Sequence, residues 1–165
     1  WKGSKGLSKP IINKIFIKPV RGKDLLYFNF IGNQVFMKLD VLKKYNFDID
    51  FPAWQDLECW YNILLNTKSS AVKIKKYNYI QDISHEHERI SLGKKDRIYE
   101  AYLKFSEKYK LCWVEKILLK NNLFNYGIID NLFFLPMLLS IIHGGLYGFI
   151  ISIRKFRNII KKGGG

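Results

Sequence analysis

The sequence has little acid for its base, few cysteines, and none of the short signatures that hold nucleotides or build covalent nucleophiles. Against 28 Lys and Arg stand 14 Asp and Glu, a net charge of +14. This balance favours a polyanionic partner: nucleic acid, anionic lipid or a phosphate-bearing substrate. The two cysteines, Cys59 and Cys112, have neither a Cys-x-x-Cys nor a His/Cys metal spacing. They exclude a disulfide framework and make a reducing, cytoplasmic setting the default. A Gly-rich phosphate loop and a Gly-x-Ser-x-Gly elbow are both missing, which removes the P-loop and serine-hydrolase readings. So are internal repeats, a secretory leader and any recognised nucleic-acid fold signature, so nucleic-acid binding ranks low. The apolar fraction of 48% and aromatic fraction of 16% exclude wholesale disorder. Trp1 at the start and Gly163, Gly164 and Gly165 at the end suggest a fragment closed by linker or tag glycines.

The base is unevenly placed. One cluster is N-terminal (Lys2, Lys5, Lys9, Lys14, Lys18, Arg21, Lys23); another follows the most apolar stretch (Arg154, Lys155, Arg157, Lys161, Lys162). Basic residues beside an apolar run fit a membrane surface better than a nucleic-acid groove. That run, residues 132–153, is uncharged and long enough to cross a bilayer, but Pro136, Gly144, Gly145 and Gly148 interrupt it. Two shorter interfacial helices, a re-entrant hairpin or a buried helix pair fit as well.

Periodicity sets the other elements. Residues 25–37, rich in apolar and aromatic side chains, read as a strand pair or a buried strand broken near Gly32 and Asn33. Residues 39–46 read as a short helix. A second helix begins at Trp54 or Gln55, where Leu57, Trp60, Tyr61 and Leu64 recur at helical spacing. Residues 71–80 alternate as a strand does, and residues 94–109 read as a helix.

The segment Phe51-Pro52-Ala53-Trp54-Gln55-Asp56-Leu57-Glu58-Cys59-Trp60 follows Asn46-Phe47-Asp48-Ile49-Asp50 and, earlier, Asn29-Phe30-Ile31-Gly32-Asn33-Gln34. The whole resembles the second half of family 2 glycosyltransferases of the GT-A type. Their Asn/Gly strand and Phe-Asp turn precede an acidic pair opening a Trp-bearing helix, with Gln55-Asp56 here in the place of the pair. The resemblance implies that Asp56 is the general base, taking the proton of an acceptor hydroxyl as its oxygen attacks the anomeric carbon of a sugar. It also gives Trp54, Gln55 and Asn33 as substrate contacts. From residue pattern alone Asp56 is an ordinary helix-cap acid, and both roles can hold at once. Trp54 can line the acceptor site or pack the core; Trp60, on the apolar face, packs the core. Asp48 and Glu58 are secondary candidates.

Ser84-His85-Glu86-His87-Glu88-Arg89-Ile90-Ser91 is the densest ionisable cluster. By the same resemblance His85, then His87, would help ligate the Mn²⁺ or Mg²⁺ that bridges a donor diphosphate, and Arg89 would meet its phosphates. Taken alone, the cluster is a polar loop with Arg89 paired to Glu86 or Glu88. The resemblance covers residues 25–110 and lacks the nucleotide-binding half with its Asp-x-Asp motif. Asp48-Ile49-Asp50 matches the letters but lies in the later turn.

The sequence therefore predicts an α/β fold: the C-terminal portion of a GT-A, Rossmann-like domain over residues 1–110, then a helical membrane-associating tail over 111–162. The function implied is inverting transfer of a sugar from a nucleotide-sugar to a glycan or lipid-linked glycan in bacterial surface polysaccharide assembly. The setting implied is the cytoplasmic face of the inner membrane, and the fragment alone is expected to be inactive. A non-enzymatic, basic, membrane-bound interaction module is the alternative.

Overall fold

The computed structural model describes residues 2–3, 6–7, 19–32, 35–72, 95–129 and 131–163. Two antiparallel two-residue strands, β1 (Lys2–Gly3) and β2 (Gly6–Leu7), open the chain. A 3-10 helix, Gly22–Leu26, follows, then α1 (Leu39–Lys44), α2 (Gln55–Thr67), α3 (Lys95–Lys108) and α4 (Trp113–Lys120). A second 3-10 turn, Leu123–Tyr126, leads to α5 (Phe134–Gly144) and α6 (Leu146–Gly163).

The expected α/β, Rossmann-like fragment is contradicted: the described residues are mostly helical. Among them, strand pairing is confined to β1 with β2 and a single bridge between Val20 and Ala71. The segment 25–37 shows why. A short apolar run does not distinguish a buried strand from a buried helical turn. Here the Asp24 side chain accepts the Arg21 backbone N–H at 2.8 Å while the Asp24 backbone N–H donates to the Arg21 carbonyl at 3.0 Å, and the chain winds into the 3-10 turn Gly22–Leu26. Leu25, Leu26 and Tyr27 are buried all the same. Of the expected strand at 71–80, Ala71 exchanges both backbone bonds with Val20, at 2.8 and 2.9 Å, and residues 73–80 lie outside the described residues. The helices expected over 39–46, from Gln55, and over 94–109 are present.

The core forms where α2 lays Leu57, Trp60, Tyr61 and Leu64 against the 3-10 turn and α3. Tyr61, Phe105 and Tyr109 interlock with ring centroids 4.7–4.9 Å apart, a spacing that adds to their apolar burial. Glu58 is 0% exposed in this core. Its Oε1 accepts the Tyr109 hydroxyl at 2.5 Å and pairs with the Lys108 ammonium at 2.9 Å.

The tail is a helical hairpin. Gly145, at φ +55°, makes the turn, and a Cβ added at Gly148 would come within 1.6 Å of the Ser140 carbonyl oxygen. Only a glycine lets the two backbones approach this closely. Among the described residues no helix is long and apolar enough to cross a membrane. The hairpin docks through polar groups. The Asn121 side chain donates to the Pro136 carbonyl and to Ser140 Oγ, both at 2.8 Å. Asn122 donates to the carbonyls of Leu25 and Leu26 at 3.1 and 3.0 Å. Lys155, 4% exposed, donates to the carbonyls of Tyr27 and Asn121.

Candidate functional site

Asp56 lies in the first turn of α2, half-buried. The free N–H groups and dipole of a helix N-terminus favour a carboxylate there. Its Oδ2 accepts the Asn29 side-chain amide at 3.2 Å, across 27 residues of chain. Asn29 is itself oriented: its Oδ1 accepts the backbone N–H groups of Ile31 at 3.3 Å and Gly32 at 2.9 Å. With the oxygen so occupied, the amide nitrogen is the end that faces Asp56. The loop is pinned in turn by Trp60, whose indole N–H donates to the Gly32 carbonyl at 2.7 Å.

Trp54 precedes the helix with φ +61° and ψ 24°, a left-handed conformation that is uncommon for a bulky residue. It costs about 1–3 kcal/mol, which the surrounding packing must offset. Trp54 is 7% exposed, so its position carries core packing rather than an open face for stacking on a sugar. Burial pushes the Tyr126 phenol up, the Asp56 charge pushes it further, and the Trp54 side chain partly opposes both. Asn29, Trp54, Asp56 and Tyr126 thus form one cluster. At neutral pH Tyr126 keeps its proton.

The remaining candidates separate. Gln55 is exposed and donates to the Phe51 carbonyl at 3.2 Å. Trp60 is buried in the core, as its helical spacing predicts. Asp48 pairs with Lys108 at 2.7 Å and accepts the Asp50 backbone N–H at 3.0 Å. These contacts, the Lys108 hydrogen bond foremost, hold its carboxyl below the usual range. Asp48 and Glu58 share Lys108, so both belong to the structural ion network of α2 and α3. The Cys59 thiol, which donates to the Tyr45 carbonyl, is pushed up to about 11 by burial and then by the charges of Glu58 and Asp56. That excludes it as a thiolate nucleophile at neutral pH. An open depression of about 450 Å³, lined by Tyr102, Ser106, Lys110 and Lys116 among others, shares no residue with the Asp56 cluster.

Asn33, His85, His87 and Arg89 lie outside the described residues. Among the described residues no group of three or more His, Cys, Asp or Glu could hold a metal ion. Sequence reasoning missed two members of the cluster. Asn29 lies inside the Asn-Gly string, where the substrate contact expected was Asn33. Tyr126 gave no signal, being 70 residues along the chain from Asp56 by their numbers. No protein-family model, no curated protein and no solved structure matches this chain.

Proposed function

We propose that this chain supplies the acceptor-side base of a glycosyl transfer, with Asp56 as that base. The observation that carries the reading is a half-buried carboxylate at a helix N-terminus, held by an amide whose own orientation is fixed. The resemblance of the flanking string to family 2 glycosyltransferases supplies the reaction. A sugar hydroxyl of the acceptor gives its proton to Asp56 while its oxygen forms a bond to the anomeric carbon of a nucleotide-sugar. The bond from that carbon to the nucleoside diphosphate breaks, and the diphosphate leaves with the electron pair. Attack from the opposite side inverts the centre. Asn29 aims the carboxylate. The partners are a nucleotide-sugar donor and a glycan or lipid-linked glycan, as in bacterial surface polysaccharide assembly.

The helical fold of the described residues offers no sheet for a nucleotide, so this reading draws the donor site from residues beyond them. By the same resemblance His85 and His87 would hold a divalent metal that neutralises charge on the donor diphosphate, and Arg89 would meet its phosphates.

The test is transfer from a panel of nucleotide-sugars to membrane-extracted acceptors, read as nucleoside diphosphate release and product mass, in the protein that carries this segment. Asp56→Asn should lower transfer by about 10²–10⁴-fold, the contribution of a positioned general base. Asp48→Asn, which removes the charge that pairs with Lys108 away from the Asp56 site, should keep it. Transfer retained by Asp56→Asn would remove this residue from the reaction.

A further inference from the structure

The hairpin of α5 and α6 buries its polar side chains Ser140, Ser152 and Lys155 together with Pro136 and Ile151, and leaves a second, apolar side in water. On α5, Phe134, Leu138 and Ile142 recur every fourth residue; on α6, Phe149, Ile153 and Phe156 recur at spacings of four and three. These six are between 40% and 67% exposed. At 100° per residue each set falls within an arc of about 80°, one stripe per helix. The opposite sides are fixed to the body. Ser140 of α5 bonds the Asn121 side chain, and Lys155 of α6 bonds the Asn121 carbonyl, so both inner faces converge on one residue. Gly148 against Ser140 and the Ser152 hydroxyl on the Met137 carbonyl, at 3.0 Å, lock the helices to each other. The stripes are therefore held outward and cannot turn in to pair with one another.

Charge decides the occupant. The last acidic residue of the chain is Asp130; after it come Arg154, Lys155, Arg157, Lys161 and Lys162 with no carboxylate between. Lys155 is consumed by the docking, and Arg157 is exposed beside Phe156. A protein partner would have to match an apolar stripe beside a sequence that carries base and no acid after Asp130. An anionic bilayer matches both at once, with acyl chains for the stripe and headgroup phosphates for the base. Neither helix is long and apolar enough to span. We propose that the α5–α6 hairpin is an in-plane anchor that lays its outer stripes into the headgroup boundary of an anionic membrane. The inference stands on the tail alone and does not depend on glycosyl transfer.

The experiment is co-sedimentation of the full chain with phosphatidylcholine vesicles, with and without phosphatidylglycerol. Binding should be at least about tenfold stronger with the anionic lipid, because each basic residue near the surface adds attraction. Phe149→Glu combined with Ile153→Glu should abolish it with an unchanged circular dichroism spectrum, since both side chains already face water. Leu138→Glu with Ile142→Glu makes the same test on the other helix, should the first variant fail to fold. A Phe149→Trp chain should shift its emission to the blue on adding anionic vesicles. No sedimentation with anionic vesicles, sedimentation undiminished in both glutamate variants, or an unshifted emission from the Phe149→Trp chain would overturn the proposal. So would vesicle-independent dimers that the glutamate variants dissolve, because the stripes would then belong to a second copy of the chain.

Discussion

Around α3 the side chains are sorted in the ordinary way: Ile98, Ala101, Tyr102 and Phe105 are buried, while Lys95, Asp96, Arg97 and Glu100 face water. In the α5–α6 hairpin the buried side mixes Ser140, Ser152 and Lys155 with Pro136 and Ile151, and Phe134, Ile142 and Phe149 face water. Both regions are helical, so local structure does not account for the difference. What differs is the medium each outer face is fitted to. An amphipathic helix whose apolar stripe points away from its own core is fitted to a surface the chain does not supply. The α2 end is different again. There the half-buried group is a carboxylate with a single oriented amide donor, an arrangement that leaves lone pairs open for a second donor.

The comparison can be broken first by truncating one aromatic in each region. Phe105→Ala should cost about 3–5 kcal/mol in chemical denaturation, the range for deleting a buried ring. Phe149→Ala should change stability by no more than about 0.5 kcal/mol, as surface changes do. Equal costs would mean that the hairpin stripe is core after all. A smaller effect sharpens the account of how the hairpin is closed. Gly148→Ala should destabilise the tail by about 1–3 kcal/mol, the usual penalty of overpacking, because its methyl meets the Ser140 backbone. Faster amide exchange confined to α5 and α6 would display it.

The smallest effect is in pH dependence. Burial holds the Lys155 ammonium well below its ordinary value. Between that lowered value and the value in the unfolded chain, the unfolded state binds more protons than the native one. The Lys155 contribution to stability therefore rises with pH across this window and levels off above the ordinary lysine range. Tyr27, whose carbonyl accepts from Lys155, has a phenol pushed upward by its own burial, so from about pH 10, where the unfolded phenol ionises first, it opposes the climb. Melting temperatures of the parent should climb through the window, and Lys155→Met should flatten the climb. An unchanged slope in that variant would place the titrating group elsewhere.

The helices were legible because their apolar residues recur at helical spacing with clear breaks: Leu57, Trp60, Tyr61 and Leu64 in α2, and Ile98, Tyr102, Phe105 and Tyr109 around α3. The sheet was misread because residues 25–37 are apolar without a period, and a buried 3-10 turn and a buried strand share that pattern. The interruption of the tail at Gly145 was legible from its glycines, but the side it buries was not. Lys155 reads as one more surface base until the carbonyls of Tyr27 and Asn121 are brought to it from distant parts of the chain. At the site, Asp56 was legible from its place before a Trp-bearing helix. Asn29 and Tyr126 were not singled out, since their link to Asp56 exists only in the tertiary fold.

The central claim is that Asp56 moves a proton and does nothing essential for holding the donor. Donor affinity and turnover, measured side by side for the parent and for Asp56→Asn in the protein that carries this segment, test it most directly. The account predicts an unchanged dissociation constant for the nucleotide-sugar and turnover lowered by about 10²–10⁴-fold. Weakened donor binding with turnover preserved would contradict it.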